Sequence, residues 1–167
     1  MNHKPTKIEV MEFLKESNAI EGVYDELSLA DAKLTWNYLM KHDVLTPAVI
    51  LHAHKLLMLH QRTLWPNEKG YFRSIPVWIA GREGIDFHDI EREMHVWIGL
   101  TMMATKGFEA FGSLTLHVHF ENIHPFVDGN GRLGRMLMNW TRLKVSQEPI
   151  MIIKEADRQT YYQWFKR

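Results

Sequence analysis

Residues 124–135 read His-Pro-Phe-Val-Asp-Gly-Asn-Gly-Arg-Leu-Gly-Arg, which sets an imidazole, a carboxylate, glycines and two guanidinium groups in one short run. Pro125 and the pair Gly129 and Gly131 exclude a continuous helix at its start. Leu133, Met136, Leu137, Trp140 and Leu143 then give the residues after it a helical apolar face, so the run is a loop that enters a helix. Glycines on both sides of Asn130 let main-chain N–H groups turn toward one point at that helix N-terminus. Those donors lack intrahelical acceptors and the macrodipole adds positive potential, which makes an anion site. Arg132 and Arg135 are three residues apart and share one side of the first turns. Two guanidinium forks there suit a polyphosphate better than a single carboxylate. Asp128 would repel that anion unless a divalent cation lies between them, as Mg²⁺ does between one carboxylate and phosphate oxygens. His124 titrates near neutrality and can take a proton from an attacking hydroxyl. The plain alternative is a glycine turn with solvated arginines and a capped helix.

The elements that must carry this loop are helical. Periodicity predicts helices over about Lys7 to Ser17 (Ile8, Met11, Phe13 and Leu14 inward) and Ser28 to His42 with Ser28 as N-cap. A third runs from Thr46 as N-cap and Pro47 as first residue to about Leu59, with Val49, Ile50, His52 or Ala53, Leu56, Leu57 and Leu59 inward. Further helices are expected over Asp86–Thr105, Phe108 to about Asn122, Asn130 to about Lys144, and from about Glu155 into the C-terminus. The interruption is Pro66–Gly84, where Tyr71 to Ile79 is rich in β-branched and aromatic residues. Pro76 cannot donate to a ladder, so this segment is predicted to be an edge strand or small hairpin. The six Trp and ten Met are assigned to the core. His117 with His119, and His52 with His54, are i, i+2 pairs that diverge on a helix and cannot share a metal.

Composition narrows the function classes. The chain has 167 residues, 20 Lys+Arg against 20 Asp+Glu, ten His and no Cys. That length suits one domain. Zero formal charge argues against a general nucleic-acid binder, which needs a basic excess. Absent cysteine excludes disulfides, zinc-thiolate sites and a thiol nucleophile. The longest uncharged run, Met94–Thr105, is too short for a membrane span, and the N-terminus lacks the apolar stretch of a signal peptide. Cytoplasm is the expected compartment, although export by dedicated machinery would leave no mark of this kind.

Residues 124–135 match every defined position of the signature His-Pro-Phe-x-(Asp/Glu)-Gly-Asn-Gly-Arg-x-x-Arg, and the chain is identified by it as resembling the Fic family. Leu116-His117, Phe120-Glu121 and Ile123 resemble the helix that leads into that motif. Gly70-Tyr71-Phe72-Arg73 through Val77 and Ile79 resembles the family's flap, and Arg158 with Tyr161-Tyr162 its closing segment. The resemblance implies a mostly α fold, a Fic-type helical bundle with a small β-hairpin flap, in one domain over 1–167 with its core at about 45–165. It implies transfer of AMP from ATP to a Tyr, Thr or Ser hydroxyl of a target protein. His124 would be the general base and Asp128 the Mg²⁺ ligand. Gly129, Asn130, Gly131, Arg132 and Arg135 would bind the nucleotide phosphates. Tyr71, Phe72, Arg73, Ser74, Ile75 and Val77 would dock the target by strand addition. Tyr162 is a candidate for the adenine pocket, with plain packing as its alternative.

Ser17-Asn18-Ala19-Ile20-Glu21-Gly22 resembles the family's inhibitory motif, (Ser/Thr)-x-x-x-Glu-(Gly/Asn), within a segment at about 14–27. Ser17, Glu21 and Gly22 would then restrain the enzyme in cis, with Glu21 paired to Arg135. A solvated helix-end glutamate is the alternative. Other activities within the resemblance are transfer of UMP or phosphocholine, and de-AMPylation with Glu21 orienting a water. A kinase branch carries Ala-Asn-Lys where this chain has Gly129-Asn130-Gly131, which ranks phosphate transfer low. A non-catalytic binding module is the reading from a different class, and the complete set of chemical side chains argues against it. The partners implied are ATP and a hydroxyl-bearing protein, with a homo-oligomer left open and neither membrane nor nucleic acid expected.

Overall fold

A computed structural model describes residues 4–62, 64–79, 82–104 and 112–165, the side chain of Arg82 excepted. The described residues form seven α-helices: α1 Lys7–Ile20, α2 Glu26–Leu39, α3 Pro47–Leu57, α4 Ile90–Ala104, α5 Ser113–Ile123, α6 Asn130–Thr141 and α7 Arg158–Gln163. A two-stranded hairpin, β1 Trp78–Ile79 and β2 Arg82–Glu83, interrupts them. Helix α5 packs on both α4 and α6, α2 on α3, and α1 on α2 with an edge against α6. The core fills the space between these faces with Trp36, Ile50, Trp97, Phe120, Phe126 and Trp140. The indoles of Trp97 and Trp140 donate to the carbonyls of Leu116 and His42, so burying them strands no polar group. Among the described residues no helix is long and apolar enough to cross a membrane.

The helix starts are set by local chemistry. Thr6 caps α1 in a reciprocal box with Glu9. Thr46 accepts from the Val49 N–H ahead of Pro47, as expected for α3. Helix α2 begins earlier than expected, because the Asp25 carboxylate accepts from the Ser28 N–H at 2.8 Å and takes the capping role assigned to Ser28. Helix α1 runs on to Ile20 and closes in a Schellman turn. Val23 N–H reaches the Asn18 carbonyl, Gly22 N–H reaches that of Ala19, and Gly22 sits at φ +71°. That turn fixes where Glu21 leaves the helix.

Several packing expectations are corrected. Ile8 and Leu59 face solvent: Ile8 lies off the packed side of α1, and Leu59 falls beyond the end of α3. At the ambiguous α3 position Ala53, not His52, is buried. Trp65 and Trp78 are 73% and 72% exposed, and Trp164, Met102 and Met103 are also exposed, so the tryptophans and methionines are not all core. The hairpin is shorter than expected. Its ladder pairs only Trp78 with Glu83 and Ile79 with Arg82, extended by Gly84 N–H to the Val77 carbonyl. Tyr71 to Val77 has no regular structure, bends at Tyr71 and Ile75 and lies outside the ladder, and Pro76 contributes no donor to prolong it. The expected start of α5 at Phe108 falls outside the described residues. The helix expected to reach Lys144 changes pitch after Thr141 into a π turn over Arg142–Ser146.

Candidate active site

Helix α5 ends at His124, which adopts the left-handed conformation at φ 49° and turns the chain toward α6. Three devices hold the loop that follows. Asn130 at the start of α6 reaches back to Phe126, accepting its N–H and donating to its carbonyl, both at 2.9 Å. Phe126 is fully buried and stacks on the His54 imidazole, with ring centroids 3.8 Å apart and planes 4° from parallel. The buried Arg73 guanidinium caps the end of α5, donating to the carbonyls of His124, Ile75 and Ile85 at 2.8 Å each. Helix α6 then begins at Gly129 (φ +81°), where a Cβ would stand 2.7 Å from the Met58 sulfur. Glycine is required there both for conformation and for space.

His54 is a residue that the sequence reading did not place at the site. Its Nδ1 accepts the Gly70 N–H and its Nε2–H donates to the Asp128 carbonyl, each at 2.9 Å. Burial pushes its pKa down to about 4, with the Asp128 carbonyl opposing, so the ring is neutral at physiological pH. The i, i+4, i+7 series Ile50, His54, Leu57 on α3 is the signal that would have turned it inward.

The chemical side chains converge as follows. His124 is part-buried, and burial pushes its pKa down to about 4, with the Glu121 main-chain carbonyl opposing and Arg73 reinforcing. It is therefore an unprotonated imidazole at neutral pH, the form a general base needs. Asp128 has one oxygen on the Gly129 N–H at 2.6 Å and the other 3.3 Å from the Gln61 amide nitrogen and 3.6 Å from Arg132. Its carboxylate stays 44% exposed. Among the described residues no group of three His, Cys, Asp or Glu is gathered for a metal. One half-exposed carboxylate fits Mg²⁺, which takes its remaining ligands from phosphate and water. Arg132 is buried with its Nε unpartnered, a donor group lying next to that carboxylate. The Asn130 side chain is spent on the loop, so what this residue offers an anion is its main-chain N–H at the first turn of α6.

Arg135 lies fully buried on the other side. Its Nε donates to the Ser17 hydroxyl at 2.9 Å, its Nη2 to the Ser17 carbonyl and the Glu21 carboxylate at 2.8 Å each, and its Nη1 to the Tyr161 hydroxyl at 3.1 Å. Burial opposes the charge, but Tyr161, Glu21 and Glu121 outweigh it and keep the guanidinium firmly protonated. The Glu21 carboxylate also covers the start of α6, where a Cβ on Gly131 would stand 2.3 Å from its Oε1. Glu21, Glu121, His124, Gly131, Arg135 and Tyr162 together line a cavity of about 360 Å³. Tyr162 is thus at the cavity wall, its hydroxyl 3.4 Å from the Ile20 carbonyl. Of the segment expected to dock a target, Tyr71, Ser74 and Ile75 face solvent and Phe72 and Val77 are half-buried. Arg73 points inward to the α5 end.

Residues 44–141 match the family model described as Fic/DOC, and the chain belongs to that family. It is 28% identical over 157 residues to a Nematostella vectensis protein named protein adenylyltransferase Fic, covering 91% of this chain and 34% of that one. The Drosophila melanogaster protein of the same name is 32% identical over 117 residues, covering 66% and 23%. The chain thus spans about a third or less of the length of these curated relatives. Among solved structures, a Fic domain containing signaling protein from Bacteroides thetaiotaomicron superposes with TM-score 0.77 at 20% identity, covering 92% of this chain and 69% of that one. Fic-1 from C. elegans superposes with TM-score 0.71 at 17% identity, covering 97% and 58%. The fold is therefore the mostly helical Fic fold with its small hairpin.

Proposed function

We propose that this protein transfers AMP from ATP and Mg²⁺ to a Tyr, Thr or Ser hydroxyl of a target protein, and that Glu21 restrains the reaction in cis. The observation that carries this reading is the convergence on one cavity of a neutral His124, the N-terminus of α6 beneath Glu21, and the buried Arg135. The target hydroxyl oxygen would attack the α-phosphorus while His124 accepts its proton. The bond to the β-phosphate oxygen breaks, and pyrophosphate leaves against Arg132, Arg135 and the α6 N-terminus. Mg²⁺ held by Asp128 would neutralise the phosphate charge. Tyr71, Ser74 and Ile75 are the flap residues free to meet an extended target segment, with Arg73 holding that flap to the catalytic loop.

Autoinhibition follows from the same geometry. While Glu21 occupies Arg135 and covers Gly131, the position that would hold the terminal phosphate is filled by a carboxylate. ATP phosphates displaced from in-line geometry by an ångström cost on the order of 10² in rate. The test is incubation of wild type and Glu21→Gly with lysate, Mg²⁺ and ATP labelled at the α or the γ position. Protein label from the α position, stronger in the variant, is expected. Label from γ alone would replace this reading with phosphate transfer, and no difference between the proteins would remove the restraint.

A further inference from the structure

Glu121 lies one helical turn before His124 at the end of α5, and nothing in the reaction as derived above uses it. Its carboxyl is buried against α6 and fits only because residue 134 is glycine. A Cβ there would stand 2.3 Å from its Oε1. Three buried polar atoms at this junction have no hydrogen-bond partner: Nδ1 of His117, Oε1 of Glu121 and Nδ1 of His124. The second carboxyl oxygen of Glu121 is 3.9 Å from the Nδ1 of His124. Buried polar groups in folded proteins are nearly always paired, so an unpartnered Nδ1 this close to a buried carboxyl marks a contact completed in another state. Catalytic hydrogen bonds commonly lengthen without substrate and tighten with it.

The groups that face this pair come from every neighbouring element. Arg135 faces Glu121 from α6, Glu21 from the end of α1, and Tyr161 from α7, with His117 one turn back on α5. Arg73 and Asp128 face His124. Burial raises the Glu121 carboxyl to about 8, against Arg135 and with help from Glu21, so it is a neutral acid at physiological pH with an oxygen free to accept.

We propose that Glu121 is a positioning residue that accepts the Nδ1 proton of His124, fixing the tautomer whose Nε2 lone pair is left for the cavity. This rests on the reading of His124 as the base. A neutral imidazole carries its proton on one nitrogen only, and the hydrogen bond made by one nitrogen decides the state of the other. With the proton on Nδ1, Nε2 takes the target hydroxyl proton and the ring becomes imidazolium, still donating from Nδ1 to Glu121. Loss of the Nε2 proton to solvent restores the starting tautomer. With the proton on Nε2 instead, the ring presents a donor where an acceptor is needed, and the base is silent.

The rival acceptor is the main-chain carbonyl of Glu121, which no side-chain substitution removes. The test is long-range ¹H–¹⁵N spectroscopy of histidine-labelled protein at neutral pH, with His124→Ala identifying the signal. Wild type should show His124 with its proton on Nδ1. Glu121→Met keeps volume but removes the acceptor and should move the ring to the Nε2–H form that free imidazole side chains prefer. Glu121→Gln retains an acceptor oxygen and should restore Nδ1–H. In a Glu21→Gly background, Glu121→Met should lower kcat about tenfold, part of the 10²–10⁴ a general base supplies. KM for ATP should stay within about twofold, and Glu121→Gln should recover most of the loss. An unchanged tautomer in Glu121→Met assigns the role to the main-chain carbonyl and overturns the proposal, whatever happens to kcat. Absence of any AMP transfer by Glu21→Gly would instead overturn the activity, while the spectra still decide the role of Glu121.

Discussion

Where the catalytic loop meets α3 and the flap, it is held by contacts that leave their partners satisfied. Asn130 closes it with two hydrogen bonds, His54 uses both ring nitrogens, and Arg73 spends its guanidinium on three carbonyls at 2.8 Å. Where the same loop runs into α6 and meets α1, the key contact is a single carboxylate, Glu21, on a buried guanidinium. That carboxylate is still 32% exposed and sits at a helix end. The difference separates geometry from control. The first side must keep reacting groups in place, so it is saturated and mostly neutral. On the restraint proposed above the second would have to yield, and it rests on one charge that another anion could replace. Arg135 cannot stand alone, because a buried guanidinium stripped of its carboxylate is costly. On the function proposed above, Glu21 in this structure and a nucleotide phosphate in the working enzyme would take turns facing it.

The sharpest way to break the contrast is on its common element. His124→Ala removes the base and leaves both sides intact, so AMP transfer should fall by about 10²–10⁴ with ATP binding largely kept. Normal turnover measured with α-labelled ATP would remove His124 from the chemistry. Next in size, Glu21→Gly should raise auto-modification by on the order of 10². It should also lower the melting temperature without nucleotide, and ATP with Mg²⁺ should recover that loss, since only then does Arg135 regain an anion. An activated variant with unchanged melting in both conditions would show that the pair does not load the fold.

Acid should act first on the buried imidazoles of both sides. His54, His117 and His124 have pKa values pushed by burial to about 4, 3 and 4, below the ordinary histidine value of 6.5. A depressed histidine lends stability above its unfolded value, and that stability is lost as pH falls toward the folded value, at about 1.4 kcal/mol per unit of depression. Thermal melts should therefore drop steeply between pH 6.5 and 4. Glu121 works in the opposite sense. Raised from 4.5 to about 8, it withdraws stability as pH rises through that interval, and Glu121→Met should abolish this alkaline component. A melt flat from pH 7 to 4 would contradict the buried neutral imidazoles.

Smaller effects separate the two regions further. Asn130→Ala leaves the Phe126 N–H and carbonyl buried without partners and should cost about 1–3 kcal/mol in denaturant unfolding. Gly22→Ala should cost about 1 kcal/mol, because Cβ strain at φ +71° acts alone: a Cβ there meets nothing within 4 Å. It should also loosen the exit of Glu21 and raise basal transfer slightly. A variant with altered stability and unaltered basal activity would uncouple the Schellman turn from the restraint.

The catalytic loop, its helix and the Thr46-Pro47 start of α3 were legible from residue types alone, since glycine placement, capping and apolar period act over a few neighbours. The segment around Glu21 was readable only through its resemblance to a family motif, and what acts locally there is Gly22, which ends α1. The sequence did not reveal that Asp25 outcompetes Ser28 as a cap, because both offer a side-chain acceptor at the start of the same apolar run. Nor did it place Arg73, read as a docking residue and found inverted onto the end of α5. His54 and Glu121 were visible only as ordinary helical residues. Their roles depend on α3 and α5 meeting the loop and α6, and on a missing Cβ at Gly134 that admits a carboxyl. Local sequence determined which groups could do chemistry. Tertiary packing decided their protonation and partners, because burial and neighbouring charge set both, and these come from segments far apart in the chain.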